Sequence, residues 1–259
     1  MFTHYLTIAR RNILKHKGYS LINILGLSVG LACCMLILLY VQDELGYDRH
    51  YPHADRLYRL ADEREISGSI TQSARTPAAW GPALVSEYPE VISTVRIKTP
   101  SSQFFIKYED RGFWERGFYF ADESVFEVFG YTLLRGDPNT ALSEPNTVVI
   151  TESTARKYFG DEDPIGKVFN GEDLIYPRVT GIIQDPPRNG HIHFDFLTSF
   201  KSLNADSQLY GNLYDPNMQT PQGLGASVYT YLLLQENYPA TDLTQKLPGF
   251  IDKHLGDRL

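Results

Sequence analysis

Apolar positions are spread very unevenly along this chain. From Leu21 to Val41 they run as "LINILGLSVGLACCMLILLYV", 21 residues without a charge, with Asn23 as the only strongly polar member. As a helix rising 1.5 Å per residue, such a run reaches about 30 Å, the thickness of a bilayer hydrocarbon core. A buried helix of a soluble protein is the weaker reading at this length. A cleaved signal peptide fits less well too, because its apolar core is shorter and ends at a small-residue site, and neither "LLYVQDE" nor "YVQDELG" supplies one. Before the run, Phe2, Leu6, Ala9 and Ile13 fall near one helical face, with Arg10, Arg11 and Lys17 on the others, the pattern of a basic amphipathic helix.

Beyond residue 41 the pattern changes to short alternating and short periodic stretches. Thr76-Pro77 predicts a helix through Glu87, with Thr76 as cap and Pro77 in the first turn. "VISTVRIKT", "FFIKYED", "GFWERGFYFAD", "YPRVTGIIQ" and "SVYTYLLLQ" predict strands. "DESVFEVFG" predicts a short helix ended by Gly130. "NTVVITESTARKYFG" predicts a strand over Val148–Ile150, then a helix capped by Thr151 and closed by Gly160. "TDLTQKL" and "GFIDKHL" predict a last helical stretch broken or bent at Pro248. The class is α+β: a single N-terminal membrane helix, then a mixed α/β domain. The boundaries are 1–20, 21–41 and 42–259.

Charge sharpens this division. Of 24 Lys and Arg and 31 Asp and Glu, the first 41 residues hold only Arg10, Arg11, Lys15 and Lys17. The other 218 residues keep 20 basic against 31 acidic side chains, a net −11. The Lys and Arg bias places the N-terminus in the cytoplasm and the acidic part outside. A net −11 also argues against nucleic acid as a partner. Cys33 and Cys34 are the only cysteines and lie inside the apolar run, so no disulfide framework supports the outer part. Gly26 and Gly30 form a G-x-x-x-G, and Ser28 and Ala32 repeat the small-residue spacing, which suits a helix in a bundle or dimer as well as a lone one.

Candidate chemistry concentrates in "DPPRNGHIHFDF", residues 185–196. In an extended chain His191, His193 and Asp195 share one face, and two imidazoles with a carboxylate can hold zinc or iron. The competing reading is a Pro-Pro and Asn-Gly turn into a strand, with Phe194 and Phe196 packed inward and the polar trio on a solvated face. "GDEDPIGKV", residues 160–168, imitates a phosphate loop. It has five residues between its glycines instead of four, and Val168 where a magnesium-binding Ser or Thr belongs. No catalytic, cofactor-binding or metal residue is assigned.

The blocks "ARRNILKHKGYSLINILGLSVGLA", "YVQDELGYDRHYPHADRLYRL", "FGYTLLRGDPNTALSEPNTVVITESTARKYFGDEDPIGKVF" and "VTGIIQDPPRNGHIHFDFLTSF", ending near "VYTYLLL" and "LPGFIDKHL", carry a resemblance. The chain resembles the MacB/FtsX-like ABC transporter permeases. The resemblance implies an inner-membrane protein with a cytoplasmic amphipathic helix, one membrane helix and a periplasmic core domain of two mixed α/β lobes. It implies no enzyme activity and no cofactor in this chain. It also implies that a separate or fused cytoplasmic ATPase hydrolyses ATP and that permeases pair as homo- or heterodimers, with a periplasmic or outer-membrane partner in some systems. The cargo would be peptides, lipoproteins or amphiphilic compounds. Such permeases continue into three further membrane helices, so the chain is expected to be an N-terminal part, incomplete at the end of the core domain. Family members commonly read Asn-Ser-His where this chain has Asn189-Gly190-His191, so Gly190 is expected at a flexible or positive-φ position. A membrane-anchored sensor is the alternative function, and a metalloenzyme a weaker one.

Overall fold

The computed structural model describes residues 2–66, 68–99, 103–171, 176–205 and 228–255. Ser227 of the expected strand "SVYTYLLLQ", residues 256–259, and the side chains of Phe2 and Leu6 on the expected apolar face lie outside that set. Contacts divide the chain into two units, between Asp48 and Arg49.

The first unit is two helices. Helix α1, Phe2–Lys15, stops at His16, whose backbone (φ −118°, ψ 55°) leaves helical geometry. Helix α2 spans Lys17–Leu45 and contains the whole apolar run, with about a turn to spare at either end. None of its side chains is buried within the protein. It is long and apolar enough to cross a membrane.

In the second unit an eight-stranded sheet has the order β1-β13-β4-β7-β12-β9-β11-β8. The strands are β1 Leu57–Arg59, β4 Val91–Lys98, β7 Phe118–Ala121, β8 Leu133–Arg135, β9 Thr147–Thr151, β11 Arg178–Ile183, β12 Phe196–Ser199 and β13 Tyr229–Leu234. Both faces of the central strands are apolar, as expected of a sheet covered on both sides. Phe118, Phe120, Val148, Ile150 and Phe196 share one core cluster; Ala121, Val149 and Leu197, on the alternate positions, share another. A third cluster joins Leu232 and Leu234 of β13 to α3, Trp80–Glu87, and α7, Ala240–Leu255, through Trp80, Leu84, Leu243 and Phe250.

Smaller sheets flank the main one. Strands β2, Asp62–Ile66, and β3, Ser69–Ser73, form a hairpin. Strands β5, Phe104–Tyr108, and β6, Arg111–Glu115, form another through the two-residue turn Glu109-Asp110, and β10, Asn170–Gly171, adds to β5. The remaining helices are α4, Val125–Phe129, α5, Glu152–Phe159, and α6, Ser202–Ala205. From Arg49 onward all of this clusters as one unit, so the lobes implied by the resemblance are parts of one body.

Two helices form as their caps predict. Thr151 Oγ1 accepts the backbone N–H of Thr154 (3.3 Å) at the start of α5, and Gly160 closes it at φ 63°. Gly130, at φ 67°, ends α4, a left-handed conformation that a side chain would disfavour. The expected cap at Thr76 is not one. Helix α3 begins at Trp80, and Thr76 instead bridges Val228, with its hydroxyl 2.8 Å from that of Thr230. Strand pairing across the domain satisfies this backbone better than a local helix start. At Pro248 the helix does not break: α7 runs through it from Ala240 to Leu255. The apolar face of α7, held by Leu243 and Phe250 on the third cluster, compensates for the hydrogen bond that proline removes.

Candidate functional site

The 185–196 block leaves β11 and crosses to β12 by a turn that closes on itself once and is fixed from other elements at three points. Asp185 Oδ1 accepts the backbone N–H (3.1 Å) and hydroxyl (2.8 Å) of Ser153 in the first turn of α5. Gly190 N–H closes the turn on Pro187 O at 3.3 Å. His191 Nε2 lies 2.8 Å from Tyr231 Oη on β13, 40 residues away, with the Tyr51 ring edge-on to the imidazole. Burial raises the Tyr231 phenol well above its ordinary range, the effect of Arg59 opposing it. That phenol therefore stays protonated as a hydrogen-bond partner.

Gly190 has no positive φ, contrary to expectation. Its reason is space. A Cβ there would stand 2.8 Å from His50 Cε1 and 3.4 Å from Tyr51 Oη, so the ring of His50 occupies the room a side chain would need.

Burial alternates through the block as read: His191 and His193 exposed, Ile192 and Phe194 buried, Asp195 half-buried, Phe196 buried. The two phenylalanines, however, do not share a face. Phe194 packs with Tyr131 in the cluster of Ala121 and Leu197, and Phe196 packs with Phe118, Tyr158 and Phe169 in the other. The chain bends at Asp195. There the N–H groups of Asp195 (2.8 Å) and Phe196 (2.9 Å) both donate to the one carbonyl of Gly117, two residues facing one as in a β-bulge. Regular strand begins only at Phe196.

The bend turns the Asp195 carboxylate onto Gly117, where a Cβ would lie 2.4 Å from Oδ2. Burial raises the Asp195 pKa above the ordinary carboxylate range; the charges of Glu115 and Asp185 add to this and Lys157 opposes it. Glu115, itself buried, accepts from Tyr158 Oη (2.6 Å) and Lys157 Nζ (2.7 Å). Nothing in the sequence near residues 191–195 signals Glu115, Tyr158 or Tyr231, because each lies on a strand or helix at least 33 residues away from them. His191 is thus committed to Tyr231, His193 faces solvent, and Asp195 faces Gly117. Among the described residues no three His, Cys, Asp or Glu side chains converge as metal ligands. The arrangement can pin a crossover to three parts of the domain; as a metal centre it lacks convergence.

The imitation phosphate loop is a clamped surface turn. Asp163 Oδ1 accepts Ile165 N–H (3.0 Å), its Oδ2 pairs with Arg135 (2.7 Å), and Lys167 is ion-paired with Glu162.

The MacB-like periplasmic core domain family matches residues 20–243, most of the chain. The chain belongs to that family. Its members are permease components of ABC transporters, a transport family that works with a cytoplasmic ATPase, and the apolar α2 fits a membrane-anchored permease with a periplasmic domain. No curated protein matches significantly. Among solved structures, a domain of a putative permease protein from Porphyromonas gingivalis is similar at TM-score 0.64 and 21% identity, over 80% of this chain and 84% of that one. The periplasmic region of MacB from Actinobacillus actinomycetemcomitans aligns at TM-score 0.51 and 16% identity, over 70% and 76%. The extracellular domain of the noncanonic ABC-type transporter YknZ from Gram-positive bacteria aligns at 0.50 and 14%, over 76% and 92%. At these identities the likeness is one of fold.

Proposed function

We propose that this chain is a permease subunit, or part of one, that couples ATP hydrolysis by a partner ATPase to motion of its outer domain. In this reading α1 lies on the cytoplasmic membrane surface, residues 21–41 span the bilayer and residues 42–259 form the periplasmic domain. The moving domain drives efflux or release of peptides, lipoproteins or amphiphilic compounds, and two permease chains work as a homo- or heterodimer, with a periplasmic or outer-membrane partner in some assemblies. The single observation that carries the reading is the family match across residues 20–243, which runs from the apolar helix into the outer domain. The Lys and Arg bias before the span supports the orientation.

The test is purification of the native full-length protein in mild detergent from its own cells. An ABC ATPase retained in stoichiometric amount, with vanadate-sensitive ATP hydrolysis in the purified complex, is the expected result. Repeated isolation without an ATPase would overturn the proposal.

A further inference from the structure

The proposed transport role gives Asn23 nothing to do, although it is the one strongly polar side chain in the apolar run. A carboxamide facing hydrocarbon forfeits its hydrogen bonds to water, so its presence calls for a polar partner. The elbow at His16 supplies a place for one. Between the end of α1 and the start of α2 lies an open groove of about 610 Å³, and Asn23 lines it. Asn12, His16, Tyr19 and Ser20 bring four more hydrogen-bonding side chains to the same groove, and Ile13 and Ile24 give it apolar walls.

Depth and charge narrow the occupant. The uncharged run begins at Leu21, so the groove straddles residues just outside the hydrocarbon edge and one turn inside it, the level of lipid headgroups. Tyr19 is the kind of side chain that settles at this level. The flanking residues include Arg10, Arg11, Lys15 and Lys17, and the first 41 residues contain no carboxylate to offset them. Such a field draws anionic lipid to the cytoplasmic leaflet.

We infer that the elbow groove holds the headgroup of an anionic phospholipid. The side chains of Asn12, Tyr19, Ser20 and Asn23 hydrogen-bond its phosphate and glycerol oxygens. The four cations supply attraction from the flanks, and Ile13 and Ile24 lie along the first acyl methylenes. This binding rests on the membrane reading of α2. It makes the α1–α2 elbow a lipid-filled joint, where a second copy of the chain would otherwise be needed to cover Asn23.

The test is native mass spectrometry of the full 259-residue chain, released from detergent with equal amounts of dioleoylphosphatidylglycerol and dioleoylphosphatidylcholine. The expected result is one retained phosphatidylglycerol, preferred about tenfold over phosphatidylcholine. The double variant Asn12→Leu/Asn23→Leu, which keeps every cation, should lose that preference. Ala9→Trp, which fills the groove and removes no polar group, should lose it too and covers the case in which the double variant fails to fold. Millimolar inorganic phosphate should leave the lipid in place. Equal retention of the two lipids, full preference in Ala9→Trp, displacement by free phosphate, or a lipid-free dimer would each overturn the inference. Resistance of the wild-type chain to alkaline carbonate extraction reads the membrane assignment separately. A chain that washes out fails that assignment, whereas one that stays without lipid preference fails only the groove.

Discussion

Phe194 and Phe196, two apart in the sequence, are buried on opposite faces of the eight-stranded sheet. The half-turn between them is made at Asp195, where two successive N–H groups share the carbonyl of Gly117. The crossover therefore supplies side chains to both halves of the core, provided residue 117 has no side chain. Gly117→Ala would place a Cβ 2.4 Å from Asp195 Oδ2 and 2.8 Å from its backbone N. We expect destabilisation of about 1–3 kcal/mol, typical of overpacking against backbone, measured by thermal unfolding followed by near-ultraviolet circular dichroism.

Gly190 and His50 make a coupled pair. Gly190→Ser should push the His50 ring aside and destabilise the chain by about 1 kcal/mol. Truncation in His50→Ala opens that space. The double variant Gly190→Ser/His50→Ala should therefore be more stable than the sum of the two single effects predicts, by about 0.5 kcal/mol or more in a double-mutant cycle. Strict additivity would show that the ring is not what excludes the side chain.

Two carboxylates should give opposite signs on the acid side. The Asp195 pKa is raised by burial, so the folded domain binds its proton more tightly than the unfolded chain does. Stability from this group is complete below its unfolded pKa, near 4, and falls as pH rises through its folded value. Asp195→Asn should hence stabilise the domain at pH 7 and have little effect at pH 3. Glu90 is the reverse case. The hydrogen bond from Lys246 (2.5 Å), aided by one from Tyr238 (3.1 Å), lowers its pKa. Its contribution is present above its unfolded pKa and is lost as pH falls through the folded one. Glu90→Gln should destabilise at pH 7, with the difference shrinking toward pH 3. Unfolding midpoints of both variants between pH 3 and 7 check the pair.

Thr198 offers a gain. It is fully buried on β12 between Phe196 and Phe200, and among the described residues its hydroxyl has no hydrogen-bond partner. Val keeps the branched shape and removes the stranded polar group. Thr198→Val should raise stability by about 1 kcal/mol in the same unfolding assay.

Local signals were legible in the sequence where the structure keeps the interaction local. The Thr151 cap and the glycines after α4 and α5 act within a turn of their own helices, and the apolar run declares α2 by length alone. Thr76 shows the limit. Its cap signature was sound, but a partner at Val228, 152 residues on, took its backbone into a bridge. The candidate site followed the same division. Alternation of exposure from His191 to Phe196 could be read; the change of face at Asp195 could not, because it depends on the carbonyl of Gly117. Long-range polar pairs are equally silent. Arg96 grips Asp122 through two side-chain bonds of 2.8 Å and lies over the Phe200 ring, and neither residue has a distinctive local context.

The sheet order also sets how the outer domain would bear load. Its first strand, β1, lies at one edge and pairs antiparallel with its last, β13, from Leu57 opposite Leu233 to Arg59 opposite Tyr231. The start of β1 and the end of β13, from which the chain departs for α7, are therefore neighbours. Tension between those points would peel the β1–β13 ladder one rung at a time from Leu57, a compliant geometry. The inner strands, from β4 to β9, would stay outside the line of force. Force applied at those two points would open this edge first and leave the pairing of the inner strands intact.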